Sequence, residues 1–188
     1  MQDKDRRQFF RINQKVALDI RPIQESELLA GPRPEQFEVS PAFSLLCELH
    51  EQDAESHHLL RKIAERDGAV ASYLQLLNNK IDALGRALVS SSINMDRMIH
   101  QHINLSEGGM LFQYPQPLDE DGYLAMKLIF PDSCLGILLH ARVLRCKRLA
   151  DEFEIAVEFY RLPENCRTQL ARQIIESQAQ TRRQISNG

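Results

Sequence analysis

Two short segments nearly a hundred residues apart hold the residues of this chain best suited to gripping a ligand. The first is Arg6-Arg7-Gln8-Phe9-Phe10-Arg11. A guanidinium binds phosphate oxygens in pairs through its planar fork and stacks on a purine face. Arg7 and Arg11 stand four residues apart, and Arg6 adds a third cation. The second segment is Asn104-Leu105-Ser106-Glu107-Gly108-Gly109. On a strand, Asn104 and Ser106 point to the same side. Asparagine offers a donor and an acceptor together, and serine offers a hydroxyl, which suits the polar edge of a ligand. A glycine such as Gly109 lets another group approach the backbone closely. Either segment alone is commonplace, a solvated basic pair or an ordinary turn. Both together, each beside a strand pattern, specify a binding site.

Other chemistry finds little support. His50, His57, His58, His100 and His102 lack a cysteine or carboxylate at metal-ligand spacing. Ser90-Ser91-Ser92 has no nucleophile-elbow context, and the chain has no P-loop. The reading is therefore a binding protein, not an enzyme, with no cofactor and no metal. A formal net charge of -3 argues against general DNA or RNA binding. Cys47, Cys134, Cys146 and Cys166 show no CxxC spacing and are expected as reduced, mostly buried thiols. The polar N-terminus does not resemble a signal peptide, and no apolar run reaches the ~20 residues of a membrane span. The expected location is the cytoplasm, with no membrane insertion.

The elements that must position these residues are legible in the hydrophobic pattern. Residues 15–23 alternate as a strand until Pro22, and residues 24–40 read as a loop with Gly31, Pro32 and Pro34. Ser40-Pro41 has the form of a helix start, with Phe43, Leu46 and Leu49 following. Strand character returns at Met98–Ile103, leading into the second motif, and again at Met110–Phe112, Tyr123–Phe130, Leu135–Lys147 and Phe153–Tyr160. A final helix is expected over about 164–184, with Leu170, Ile174 and Ile175 on its apolar side. This order predicts a mainly β, α+β fold: a six-stranded antiparallel barrel with a C-terminal helix over one end.

Between the first two strands lies a heptad pattern. Leu60, Asp67, Leu74, Ile81 and Leu88 share one position, and Ile63, Val70, Leu77 and Leu84 another. Eight of the nine are apolar, and the stretch contains no proline. Such a run predicts a coiled coil over about 57–92, its apolar stripe from Leu60 to Leu88 roughly 43 Å long. A helix that long must project from a small barrel and requires a partner helix. Small uncharged residues at Ala64, Ala71, Asn78 and Gly85, with β-branched Ile63 and Val70, lean toward more than two strands. The pattern favours one continuous helix. Asp67-Gly68 leaves open a turn that would fold it into a hairpin.

The two motifs, in this order, resemble the PilZ domain family, whose pattern is RxxxR followed by [D/N]xSxxG. Arg7 and Arg11 fill the first; Asn104, Ser106 and Gly109 fill the second. Arg6 sits where many members carry a basic residue, and Gly108 lies within the second motif. The resemblance implies a receptor for cyclic di-GMP, with Arg6, Arg7, Arg11, Asn104, Ser106, Gly108 and Gly109 at the ligand. It also implies an arginine arm that orders on binding and signals to a downstream protein. It covers 1–24 and 95–188, leaving 25–94 as a helical insertion similar to those that tetramerise some members. Leu60, Ile63, Val70, Leu74, Leu77, Ile81, Leu84 and Leu88 are then the expected oligomer contacts. A scaffold that no longer binds nucleotide is the rival expectation.

Overall fold

The computed structural model describes residues 11–29, 34, 37, 40–95 and 98–186. Its six strands are β1 (Ile12–Ile23), β2 (Ile99–Ser106), β3 (Gly109–Tyr114), β4 (Tyr123–Phe130), β5 (Leu135–Leu149) and β6 (Glu152–Tyr160). They close into an antiparallel barrel in the order β1-β2-β3-β6-β5-β4. Strand alternation sends Val16, Leu18, Ile103, Leu105, Phe112, Leu128, Leu139 and Ile155 into one core. Helix α3 (Glu164–Ser186) lays Cys166, Leu170 and Ile174 on that core. Ile175, expected beside them, is 64% exposed, because one helical step of about 100° carries it off the buried stripe.

The insertion takes the hairpin alternative rather than the favoured continuous helix. Helix α1 (Pro41–Ala64) ends three residues before α2 (Gly68–Met95) begins, and the two pack against each other. Ser40 caps α1, its Oγ accepting from the Phe43 amide at 3.3 Å. At the far end the carbonyl of Ile63 accepts from the Arg66 and Asp67 amides. Asp67 then caps α2, Oδ1 accepting from the amides of Ala69 and Val70 at 3.0 Å each. Asp67 is thus the one polar heptad residue because it caps a helix. Closure of the barrel demands the turn: β1 pairs directly with β2, Leu18 opposite Ile99, so the insertion must leave and return at the same surface.

Both ends of the hairpin are anchored there. Phe43 from α1 and Val89 from α2 bury against Ala17 and Ile129, with Met98 beside them. The Phe43 ring also covers Lys127, which is 2% exposed on the outer side of β4, with Nζ 4.8 Å from the ring centroid. Gly136 is needed at this seam, since a Cβ would stand 3.0 Å from the Phe43 ring. The Cys47 thiol donates to the Gly136 carbonyl at 3.3 Å. All four cysteines are free thiols; only Cys166 is fully buried, Cys47 and Cys134 are half-buried at the hairpin seam, and Cys146 is half-buried against the barrel core. The side chains of Leu46 and Leu49 lie outside the described residues.

Next to this seam, His140 is 3% exposed on β5, and Nε2 has no hydrogen-bond partner among the described residues. Burial holds its pKa below the ordinary 6.5, and the Glu27 carboxylate opposes this only in part. The unfolded chain therefore takes up the proton more readily than the folded one. Stability from this group is complete above the ordinary value and is lost as pH falls below it toward the folded value. Thermal melting should drop as pH is lowered from about 7.5 to about 5.5, and His140→Phe should flatten that slope relative to wild type. An unchanged slope would rule out His140 as the group responsible. At the hairpin apex, Asp67→Ala should cost about 1 kcal/mol in denaturant unfolding, whereas Asp67→Asn should be nearly neutral.

Candidate functional site

The strand registers lay the candidate residues out as rows on the outer face of the barrel. Asn13 faces Asn104 across β1 and β2, and Asn104 faces Leu111 across β2 and β3. One row toward the barrel end, Ser106 faces Gly109 and Gly109 faces Glu158. Ile12 faces Leu105, so Arg11, the residue before it, lies next to the end of β2. Antiparallel pairing thus brings a residue just after the chain's start against one from its middle.

Arg11 makes that junction. Its Nη1 donates to Asn104 Oδ1 at 3.3 Å, a bond spanning 93 residues of sequence. Asn104 Nδ2 in turn donates to Asn13 Oδ1 at 3.0 Å. The amide of Asn104 is therefore oriented by its neighbours, with Arg11 exposed beside it. Ser106 is buried and donates from Oγ to the Gly109 carbonyl at 3.0 Å, which braces the turn. The Phe159 amide donates to the Gly108 carbonyl at 2.9 Å and ties the turn to β6. Gly109 is demanded by the fold itself. A Cβ there would overlap the Val157 carbonyl oxygen and stand 3.0 Å from Glu158 Cα. Arg6 and Arg7 lie outside the described residues.

A groove of about 660 Å³ opens beside Asn104, lined by Asn13, Gln101, His102, Asn104, Leu111, Gln113 and Glu154 among others. It exists because β2 and β3 pair over only three residues and then part. Gln101 bridges the gap with its side chain. Its Oε1 accepts from the Gln113 amide at 2.9 Å, and its Nε2 donates to the Gln113 carbonyl at 3.0 Å. Glu154, opposite Gln113, closes the far wall and accepts from Arg145 Nη2 at 3.0 Å. Further along, Glu158 pairs with Arg142, and this hydrogen bond raises the Arg142 pKa above its ordinary value. The motifs did not disclose the groove residues. Their signal is alternation: Gln113 and Glu154 share the outward parity of Leu111, but only the register says that they adjoin Asn104.

The expected oligomer contacts divide into two sets. Leu60, Ile63, Leu74, Leu77 and Leu88 are half-buried. Val70, Ile81 and Leu84 remain exposed, Leu84 by 72%, and Tyr73 and Leu76 join them. Instead, Ala71 and Gly85, two of the small residues beside the heptad stripe, are the buried ones. Gly85 lies where a Cβ would stand 3.2 Å from the Cys134 sulfur. Among the described residues no group of histidine, cysteine and carboxylate side chains is arranged to hold a metal, and no helix is long and apolar enough to cross a membrane.

The model of the PilZ domain family matches residues 86–176, from within α2 through β2–β6 into α3. No curated protein matches the sequence. Among solved structures, the chain is similar to a pathogenic protein from Xanthomonas campestris described as a new tetrameric PilZ domain self-assembled via an unusual helical bundle. The likeness covers 95% of this chain and 89% of that one, with a TM-score of 0.54 and 18% identity. At that identity it carries the fold alone. Residues 86–176 thus match the PilZ domain model, with the second motif inside the matched span, and the chain shares the fold of that tetrameric PilZ structure.

Proposed function

We propose that this protein is a receptor for cyclic di-GMP that acts by binding rather than catalysis. The observation that carries the reading is the hydrogen bond from Arg11 to Asn104, which joins the two motif halves on one face of the barrel. Arg7 and Arg11 grip phosphate and stack on a base; Asn104 and Ser106 read a guanine edge. Arg6 adds a further cation to the same segment. Ligand binding orders the arginine segment against the barrel and changes the surface offered to a downstream protein. A hydrogen bond from a charged donor, such as that of Arg11 to Asn104, contributes roughly 1.5–3 kcal/mol at most, and a phosphate bound through two parallel bonds outcompetes it for the arginine.

The protein also self-associates through its helical hairpin. Val70, Tyr73, Ile81 and Leu84 form an apolar face on α2 that the protein's own α1 leaves exposed. Burying each such side chain contributes roughly 1.5–3 kcal/mol, and a second hairpin supplies the matching surface. The tetrameric helical bundle described for the Xanthomonas campestris protein favours the same arrangement, a tetramer before a dimer.

In a calorimetric titration, wild type should bind cyclic di-GMP saturably and GTP not at all. Arg7→Ala or Arg11→Ala should abolish binding while the thermal melt stays unchanged. Wild-type affinity in both variants would remove the site assignment. A folded wild type that binds nothing would leave an oligomeric scaffold as the function. In light scattering, an Ile81→Asp/Leu84→Asp double variant should fall from oligomer to monomer with the barrel intact. A monomeric wild type at micromolar concentration would end the self-association reading.

A further inference from the structure

We infer that the groove between β2 and β3 is the pocket for one guanine of the ligand, and that Glu154 is the residue selecting guanine. The inference rests on the receptor reading above and adds the base-recognition chemistry. The groove shares Asn13 and Asn104 with the motif network, and Arg11 bonds to the Asn104 amide at its edge. A ligand held by Arg11 and Asn104 therefore meets the groove without crossing any other surface. Its volume of 660 Å³ falls within the ~300–1,000 Å³ typical of small-molecule sites. Leu111 contributes an apolar surface for a base, and the polar groups stand on the walls.

Glu154 stands two strand spacings across β3 from Asn104 and two residues along β6, roughly 12 Å away. A carboxylate accepts only, through about four lone-pair sites. Guanine presents two adjacent donors, N1–H and the exocyclic N2 amine, which one carboxylate satisfies together. Adenine presents a lone pair at N1, which a carboxylate repels. Arg145 holds Glu154 Oε1 at 3.0 Å from the side of β5, which fixes the carboxylate's orientation. Exposed ion pairs of this kind contribute about 0–1 kcal/mol to stability. The Gln101 amide likewise secures Gln113 beside it. The wall is thus set before the ligand arrives, which lowers the ordering cost of binding.

The experiment is calorimetric titration of the full chain with cyclic di-GMP, cyclic di-IMP and cyclic di-AMP. Inosine lacks the N2 amine, so cyclic di-IMP removes one of the two donors. Wild type should prefer cyclic di-GMP to cyclic di-IMP by on the order of tenfold and reject cyclic di-AMP. Glu154→Ala should weaken cyclic di-GMP binding by roughly tenfold to a hundredfold and erase the preference over cyclic di-IMP. Should that variant fail to fold, Glu154→Gln retains an oxygen for Arg145 and carries the same test. A variant that binds cyclic di-GMP with wild-type affinity and undiminished preference overturns the pocket assignment and leaves the receptor reading standing. A folded wild type that binds no cyclic dinucleotide overturns both.

Discussion

The pairing of β1 with β2 is the constraint on which the rest of this structure depends. It closes the barrel on one side, Ile12 opposite Leu105 through Leu18 opposite Ile99. It sets Asn13 beside Asn104 and so delivers Arg11 to the same amide. It also fixes both ends of a long insertion to one surface. A slip of one residue would turn Val16 and Leu18 out of the core and Asn13 into it. The hydrophobic core therefore enforces the geometry of the polar face.

The same pairing explains the helical hairpin. A chain that leaves β1 and must rejoin it in β2 cannot end a single long helix far from the barrel. Phe43 and Val89 hold the two ends down, and Asp67 caps the second helix at the apex. The apolar faces are then shared unequally. Ala71 and Gly85 turn inward, where small side chains allow close approach, while Leu84 and Tyr73 face outward. A hairpin with one face covered and one face bare is a unit suited to bundling with copies of itself.

The outer face around Asn104 is acidic as well as basic. Glu154 and Glu158 each pair with an arginine of β5, Arg145 and Arg142. These pairs add little to stability in water. Their effect is to orient carboxylates along the outer face of β6, next to a groove that opens where β2 parts from β3. The glycine of the second motif has a structural cause too. Gly109 is required by the close passage of the Val157 carbonyl, whatever the strand binds.

Period-two alternation made the strands legible, since Val16, Leu18 and Ile20 can share a buried face only in extended chain. Ser40-Pro41 marked the start of α1 because its hydroxyl and ring meet the needs of a first helical turn. The two motifs named Asn104 and Ser106 as candidates through residue type and parity alone. Local pattern could not decide whether Asp67 broke the heptad helix, because a polar heptad residue and a helix cap look alike in one dimension. Nor could it place Glu154 near Asn104, since fifty residues separate them. Local periodicity and residue type thus settled the strands, the helix start at Ser40-Pro41 and the chemistry of each motif. What only the tertiary structure decided is which strands are neighbours and in what register, because that choice is made by burial of the whole core at once.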